Sequence, residues 1–334
     1  GSTLFLFALG AIYAETGTLN MADLAQRVNL VSADTTVGIR VAAILLLLVF
    51  AIKAAVVPLH FWLPSSYAEA PAPVAALFAI MTKVGAYAII RVYTIVFPPD
   101  LAVTADLHSA LLLPAALISL AIGMVGVLAA GKLDRLVAFA VIGSMGMVMV
   151  AIAMFTPDSI AAALYYIVHS TLAAGALFLI VDLVRTGRAN VDLVAAPPVG
   201  GAALTAGLFF VAAIAMAGLP PLSGFVGKLM ILDAAYSTPA MVWIWAIVLS
   251  ASLISVVGFA RAGSIVFWKA QSIERPEDEP LPPSPAILSY VAVGGLLGLL
   301  VAHTVFAGPV QRYMAATSAQ LFAPEPYIST VLDT

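Results

Sequence analysis

The chain has 334 residues, 63% of them hydrophobic and 9% charged, with a net charge of −3. Soluble domains run roughly 45–50% apolar and about 25% charged, so a cytoplasmic enzyme domain is excluded. Disorder is excluded as well, and the charge is too small to point to nucleic acid. There is no cysteine, hence no disulfide framework, no thiolate metal site and no iron–sulfur cluster. The class left is a polytopic membrane protein embedded in the lipid bilayer.

In chain order, apolar runs fall near 1–14, 37–57, 73–97, 108–130, 135–155, 159–184, 201–236, 240–268 and 285–307. A membrane helix needs about 20 mostly apolar residues, whereas membrane strands would show alternating segments of about ten. Backbone groups in lipid must bond internally, which leaves helices. The expected fold is therefore all-α: a transmembrane helical bundle of about nine spans. The first run is too short to cross. It is read as a chain that begins inside a helix, with a short surface helix as the alternative. Segments 20–30 and 309–322 read as interfacial, and the tail after 322 has no strong pattern.

Two spans should be broken. The run 37–57 leads into Pro58, then His60-Phe61-Trp62-Leu63-Pro64, Pro71 and Pro73. The run 201–236 is too long for one straight span and holds Gly218-Leu219-Pro220-Pro221 in its middle. Proline removes a backbone donor and breaks a helix. In lipid such a break is tolerated only where protein or a water-filled cavity surrounds it. Gly123 to Gly126 and Gly143 to Gly146 are small-residue spacings suited to close helix packing.

Loop charge sets the expected orientation. One side carries Lys132, Arg135, Arg185, Arg188, Lys269 and Arg275, and the other Arg27 and Arg312, with Arg40 and Arg91 at span ends. By the positive-inside rule the first side is cytoplasmic, and Arg261 can snorkel to it.

Only five lysines occur. Lys132 and Lys269 lie at loops; Lys53, Lys83 and Lys228 lie inside apolar spans. Lys83 is about ten residues into its run, roughly 15 Å along a helix. A charged lysine at mid-bilayer costs at least about 2.5–3.5 kcal/mol. Snorkelling or pairing with helix carbonyls would account for one such residue near a helix end. Three at depth, two beside helix breaks, point to function. Burial disfavours the charged form of an amine, so a buried lysine can release a proton, as a relay requires. His169 lies at mid-span beside Ser170 and Thr171, in the pH range where imidazole titrates; bonding to a neighbouring carbonyl is its alternative. His60 is nearer an interface and fits either role. His108 and His303 sit near helix ends and read as structural. Of the 17 carboxylates, none sits deep in a span beside Lys53 or Lys83. Buried cations usually pair, so these amines are either neutral much of the time or partnered from elsewhere.

The run from Lys53 through Pro58, His60 and Pro64, the segment Ala72-Pro73-Val74-Ala75-Ala76-Leu77-Phe78-Ala79-Ile80-Met81-Thr82-Lys83-Val84-Gly85, the triplet His169-Ser170-Thr171, and the run from Gly218 through Pro220, Pro221 and Gly227 to Lys228 together resemble the antiporter-like subunits. These occur in respiratory complex I, in membrane-bound hydrogenases and in Mrp-type cation/proton antiporters. The texture is most similar to the D subunits of Mrp (Pha) antiporters, and the resemblance covers essentially the whole chain. It implies a fourteen-helix fold of two inverted five-helix repeats, each with one broken helix, and a chain truncated at its N-terminus. Residues 1–100 would then end the first repeat and 101–270 form the second. Residues 271–334 would supply a loop, the last membrane helix and an amphipathic tail.

The resemblance also implies roles. Lys53 would be the central lysine of one half-channel, paired to a glutamate on a helix outside this chain. Lys83 would be the connecting lysine, His169 the bridging residue and Lys228 the lysine of the second half-channel. His60, Ser170 and Thr171 would be accessory, and Pro58, Pro220 and Pro221 the helix breaks. The expected function is proton translocation through a midplane relay in a multisubunit Na⁺ or K⁺/proton antiporter of the bacterial plasma membrane. Other membrane subunits would be its partners, with no cofactor, no metal and no enzyme activity of its own. The alternatives are a proton-pumping subunit of a complex-I-like oxidoreductase or membrane-bound hydrogenase, and a membrane scaffold. No Gly-x-Ser-x-Gly elbow or P-loop supports a soluble enzyme.

Overall fold

Long runs of Leu, Ile, Val, Ala and Met can bury their backbone polar groups only by closing each N–H onto a carbonyl of the same segment. The computed structural model, which describes residues 1–30, 36–198, 201–274 and 284–332, accordingly consists of helices joined by turns. They are α1 (Ser2–Thr16), α2 (Met21–Leu30), α3 (Thr36–Lys53), α4 (Trp62–Glu69), α5 (Ala72–Ile95), α6 (Leu113–Ala129, entered through one π turn at His108–Leu112) and α7 (Leu133–Met154). After these come α8 (Pro157–Arg188), α9 (Ala202–Ala217), α10 (Ser223–Ala234), α11 (Met241–Gly263, prolonged to Ser272 by π and 3₁₀ turns), α12 (Ile287–Val305), α13 (Ala307–Leu321) and α14 (Glu325–Leu332).

The middle of the bundle is α7, buried along nearly its whole length, while α11 and α12 bury a third or less of theirs. The close approach of α6 and α7 depends on glycine. A Cβ on Gly146 would stand 2.7 Å from Leu120 Cα, and one on Gly123 would strike the backbone of Gly143. The two small-residue spacings therefore face each other's helices and serve packing.

The proline-rich stretches are breaks, and the backbone groups freed there find partners. After α3 ends at Lys53, Ala55 takes a left-handed conformation (φ 54°). The Val57 N–H donates to Ser119 Oγ of α6 at 2.8 Å, and that hydroxyl donates onward to the Ala115 carbonyl at 2.6 Å. The Trp62 indole N–H reaches back to the Ile52 carbonyl at 3.1 Å. Ser119 is itself fully buried, so Ser119→Ala should strand an amide in an apolar interior. A destabilisation of about 1–3 kcal/mol is expected, read as a lowered unfolding midpoint of the detergent-solubilised protein; an unchanged midpoint would show that the amide has another partner. At the second break α9 closes on Gly218 (φ 73°), whose N–H returns to Ala215 and Ile214, and the chain passes Pro220-Pro221 before α10 starts.

Antiparallel connectivity places the loop charges on shared faces. Lys132 pairs with Asp192 at 3.7 Å, and Arg185 with Asp134 at 3.0 Å. Arg261 donates to the Ala130 carbonyl at the same end. At the opposite end Arg40 pairs with Asp106 at 2.7 Å. The hydrogen bond from that guanidinium holds the Asp106 carboxyl below the usual carboxylate range. Arg275 lies outside the described residues.

Several expected boundaries move. Among the described residues six helices are long and apolar enough to cross a membrane, or seven if the pair α1 and α2, bent by 56°, is one span. The run 201–236 divides at its break into the 16-residue α9 and the 12-residue α10, each short of a full span. The span expected over 37–57 stops at Lys53, four residues early. The tail after 322 is helical from Glu325 to Leu332, where Pro326 suits a first helical turn and the Tyr327 ring lies 4.6 Å under the Arg91 guanidinium.

Candidate functional site

The break between α9 and α10 builds the most fully formed part of the site. Ala217 is the last residue of α9, so its carbonyl has no intrahelical donor, and a helix C-terminus favours a positive charge. Lys228, one and a half turns into α10, folds back and donates to that carbonyl at 2.6 Å. It donates also to Ser252 Oγ of α11 at 2.8 Å. The side chain runs over the Cα of Gly218, where a Cβ would stand 2.7–2.8 Å from Cδ, Cε and Nζ. Lys228 is 6% exposed.

His169 lies at the start of the same half-helix from the other side. It is fully buried on α8, and its Nδ1 is 2.9 Å from Ser223 Oγ, either atom donating according to the tautomer. Ser223 is the first residue of α10. Nε2 is buried without a hydrogen-bond partner and lies 2.7 Å from where a Gly224 Cβ would be, so only glycine lets α10 approach there. Lys228, Lys83 and His303 all lie close enough to act electrostatically on His169.

Lys83 is on α5, 5% exposed, with its Nζ buried and unbonded. Among the described residues the ion pairs involve only loop and helix-end groups, and none includes Lys53, Lys83 or Lys228. Lys53 differs from the other two. It is the last residue of α3, and within this chain its side chain is exposed. It opens on a groove of about 390 Å³ lined by Gly1, Ser2, Phe5, Val49 and Val84, among others. Gly85 lets α3 and α5 meet beside it, since a Cβ there would lie 2.7 Å from the Phe50 carbonyl oxygen and from the Ala54 nitrogen.

The accessory residues are not drawn together. Ser170 and Thr171 both donate to the Ile167 carbonyl of their own helix, at 3.2 and 2.8 Å. His60 is half-buried in the turn before α4, with Nδ1 buried and unbonded. Pro58, Pro220 and Pro221 stand in the two interhelical breaks. Sequence reasoning passed over Ser223, Ser252 and Gly224. The Ser-Gly pair one residue beyond two prolines was the available signal, because a chain restarting as a helix leaves its first N–H groups and small side chains turned toward the break. For Ser252, in the middle of an apolar helix, there was no signal. Among the described residues no group of three or more His, Cys, Asp or Glu could hold a metal ion.

Residues 1–255 match the family described as NADH:quinone oxidoreductase/Mrp antiporter, transmembrane. The D subunit of the Na⁺/H⁺ antiporter of Bacillus subtilis is 37% identical over 99% of this chain and 65% of that protein. The D subunit of a probable K⁺/H⁺ antiporter of Rhizobium meliloti is 34% identical over 99% of this chain and 66% of that protein. The chain thus spans about two thirds of the length of these relatives. The fold is also that of a chain in the Mrp complex of Dietzia, with a TM-score of 0.85 at 24% identity, covering 99% of this chain and 67% of that one.

Proposed function

The chain belongs to the NADH:quinone oxidoreductase/Mrp antiporter transmembrane family, and from that membership we propose that it carries protons along the membrane midplane in a multisubunit Na⁺ or K⁺/proton antiporter. The observation that carries the reading is the buried set Lys83, His169 and Lys228. All three lie in one interior, two of them within electrostatic reach of the third, and no described ion pair neutralises any of them. Cations held so are costly as mere structure and useful as proton carriers.

In this reading a proton enters at Lys53, passes by water and Lys83 to His169, and is exchanged with one face through Lys228. The carbonyl at the end of α9 and the Ser223 hydroxyl at the start of α10 give Lys228 and His169 polar partners inside the bilayer, as discontinuous helices do in transporters. Lys53, exposed in this chain, takes its partner, an acid on a membrane helix, from outside the described residues. Residues 1–100 and 101–270 belong to two inverted five-helix repeats of a fourteen-helix fold, and 271–334 form the last membrane helix and tail. The broken and bent pieces complete about nine spans. The protein sits in a bacterial plasma membrane with Lys132, Arg185 and Lys269 on the cytoplasmic side, among other membrane subunits. Its relatives' names offer both Na⁺ and K⁺ as the exchanged ion.

The test is cation-driven proton movement in everted vesicles carrying the complete complex with Lys53→Ala. Exchange should fall by about 100-fold, the low end of what a positioned proton donor contributes. Exchange at the unmodified rate would dispose of the relay. Neighbouring genes separate this reading from a redox-driven pump: peripheral redox subunits would favour the pump.

A further inference from the structure

We propose that His303 of α12 is a proton-carrying residue between His169 and the face of the bundle where Phe155 and Phe306 lie, an inference that rests on the relay reading above. His303 is third from the end of α12 and only 7% exposed. Its ring stacks on Tyr165 of α8, with centroids 4.2 Å apart and planes 28° from parallel. Two bonds clasp the pair: His303 Nε2 lies 3.3 Å from the Tyr165 carbonyl oxygen, and the Tyr165 hydroxyl donates to the His303 carbonyl at 3.4 Å. Tyr165 precedes His169 by four residues, so the two stand on one side of α8, with Tyr165 about 6 Å nearer the Pro157 end.

The imidazole of His303 therefore lies about one helical turn from His169 in the direction of that face. His169 Nδ1 meets Ser223 Oγ, and Nε2, buried on the side of the Ala215 carbonyl without a close hydrogen bond, is the less firmly held of the two ring nitrogens. The elements packed against α12 carry other ionisable groups: Asp158, Tyr165, Tyr166, His169, Asp182, Arg185 and Arg188 on α8, Lys228 and Asp233 on α10, and Arg312 and Tyr313 on α13; α9 has none. Of these, Tyr165 touches the ring. A phenyl ring would stack as well, so packing alone does not call for an imidazole here. The carbonyl that meets Nε2 belongs to a helical residue whose ordinary donor is the His169 N–H, so this long bond orients the ring without fixing its protonation state. The step conserves protons: one leaves the His169 imidazolium and reaches neutral His303 by way of water, and His303 gives one up to solvent at its own face.

The experiment compares His303→Gln, His303→Ala and Lys53→Ala in the complete complex, each assayed for proton/cation exchange across a range of pH. His303→Gln keeps a hydrogen-bonding side chain but carries no proton, and should lower exchange by about 100-fold. His303→Ala should be partly restored by added imidazole, which a packing role would not respond to. Wild-type exchange in His303→Gln, with Lys53→Ala still inactive, overturns the role of His303 and leaves the relay. Full exchange in Lys53→Ala overturns the relay itself. Should neither His303 variant assemble, ¹⁵N spectra of the unmodified protein decide. A His303 ring that titrates between about pH 5 and about pH 8, the range of imidazole switches, supports the proposal, and one locked in a single state ends it.

Discussion

Replacing Lys83 with methionine is expected to abolish proton/cation exchange while making the bundle more stable. The Lys83 amine is buried on α5 and has neither a hydrogen bond nor an ion pair among the described residues. An amine in that position has no protein group to bond, and charging it there is costly. Methionine has nearly the same length, bends to fill the same space and has no polar group to desolvate. Removing an unsatisfied buried group should raise stability by about 1–3 kcal/mol. Exchange should fall by about 100-fold or more, since a thioether cannot take up a proton. Both quantities are measurable on one purified complex, as a denaturation midpoint and as vesicle exchange. The opposite movement of the two is the diagnostic result. A less stable protein that still exchanges would make Lys83 a structural residue.

Gly218→Ala should damage both properties together. Gly218 has φ 73°, a conformation that costs an L-residue with a Cβ about 1–2 kcal/mol. The new methyl would press on the last three side-chain atoms of Lys228, at 2.7–2.8 Å, and forced repacking of this kind costs about 1–3 kcal/mol. The summed loss is about 2–5 kcal/mol. Lys228 would be lifted off the Ala217 carbonyl and Ser252, so exchange should fall as well. A double variant with Lys228→Met separates the two contributions. The flexible thioether can yield to the methyl, so the crowding part should shrink and the two changes should not add, while exchange stays lost. Strict additivity would mean that the glycine and the lysine do not meet.

Much of this architecture was legible from residue chemistry. Uninterrupted apolar runs leave the backbone no choice but helix, and Pro58 and Pro220-Pro221 mark where a helix cannot continue. Proline marks a limit and not a boundary, however: α3 stops at Lys53 because Ala55 turns left-handed and Val57 finds its acceptor on Ser119, 62 residues away. Lys83, His169 and Lys228 stood out by the cost of placing them in a bilayer, and the fold buries all three. Lys53 stood out for the same reason, yet which way it faces was not readable, because neighbouring helix residues differ by about 100° in direction. The same rotation misplaces Ser170 and Thr171. Adjacent to His169 in sequence, they serve their own helix, and the hydroxyl that reaches the imidazole is Ser223, 54 residues on.

Composition and period alone determined that the chain is a membrane-embedded helical bundle, that two of its helices are interrupted, and that basic side chains lie inside apolar spans. These are local matters, decided by transfer energies and by the hydrogen-bonding needs of each segment. Only the tertiary structure decided that Lys228 turns back onto the open end of α9, that His169 is met by the first residue of α10, and that His303, from the far end of the chain, stacks one turn away from it. Such pairings depend on which helices come side by side. That is settled by the packing of glycine and alanine faces on several helices at once, and no single stretch of sequence contains it.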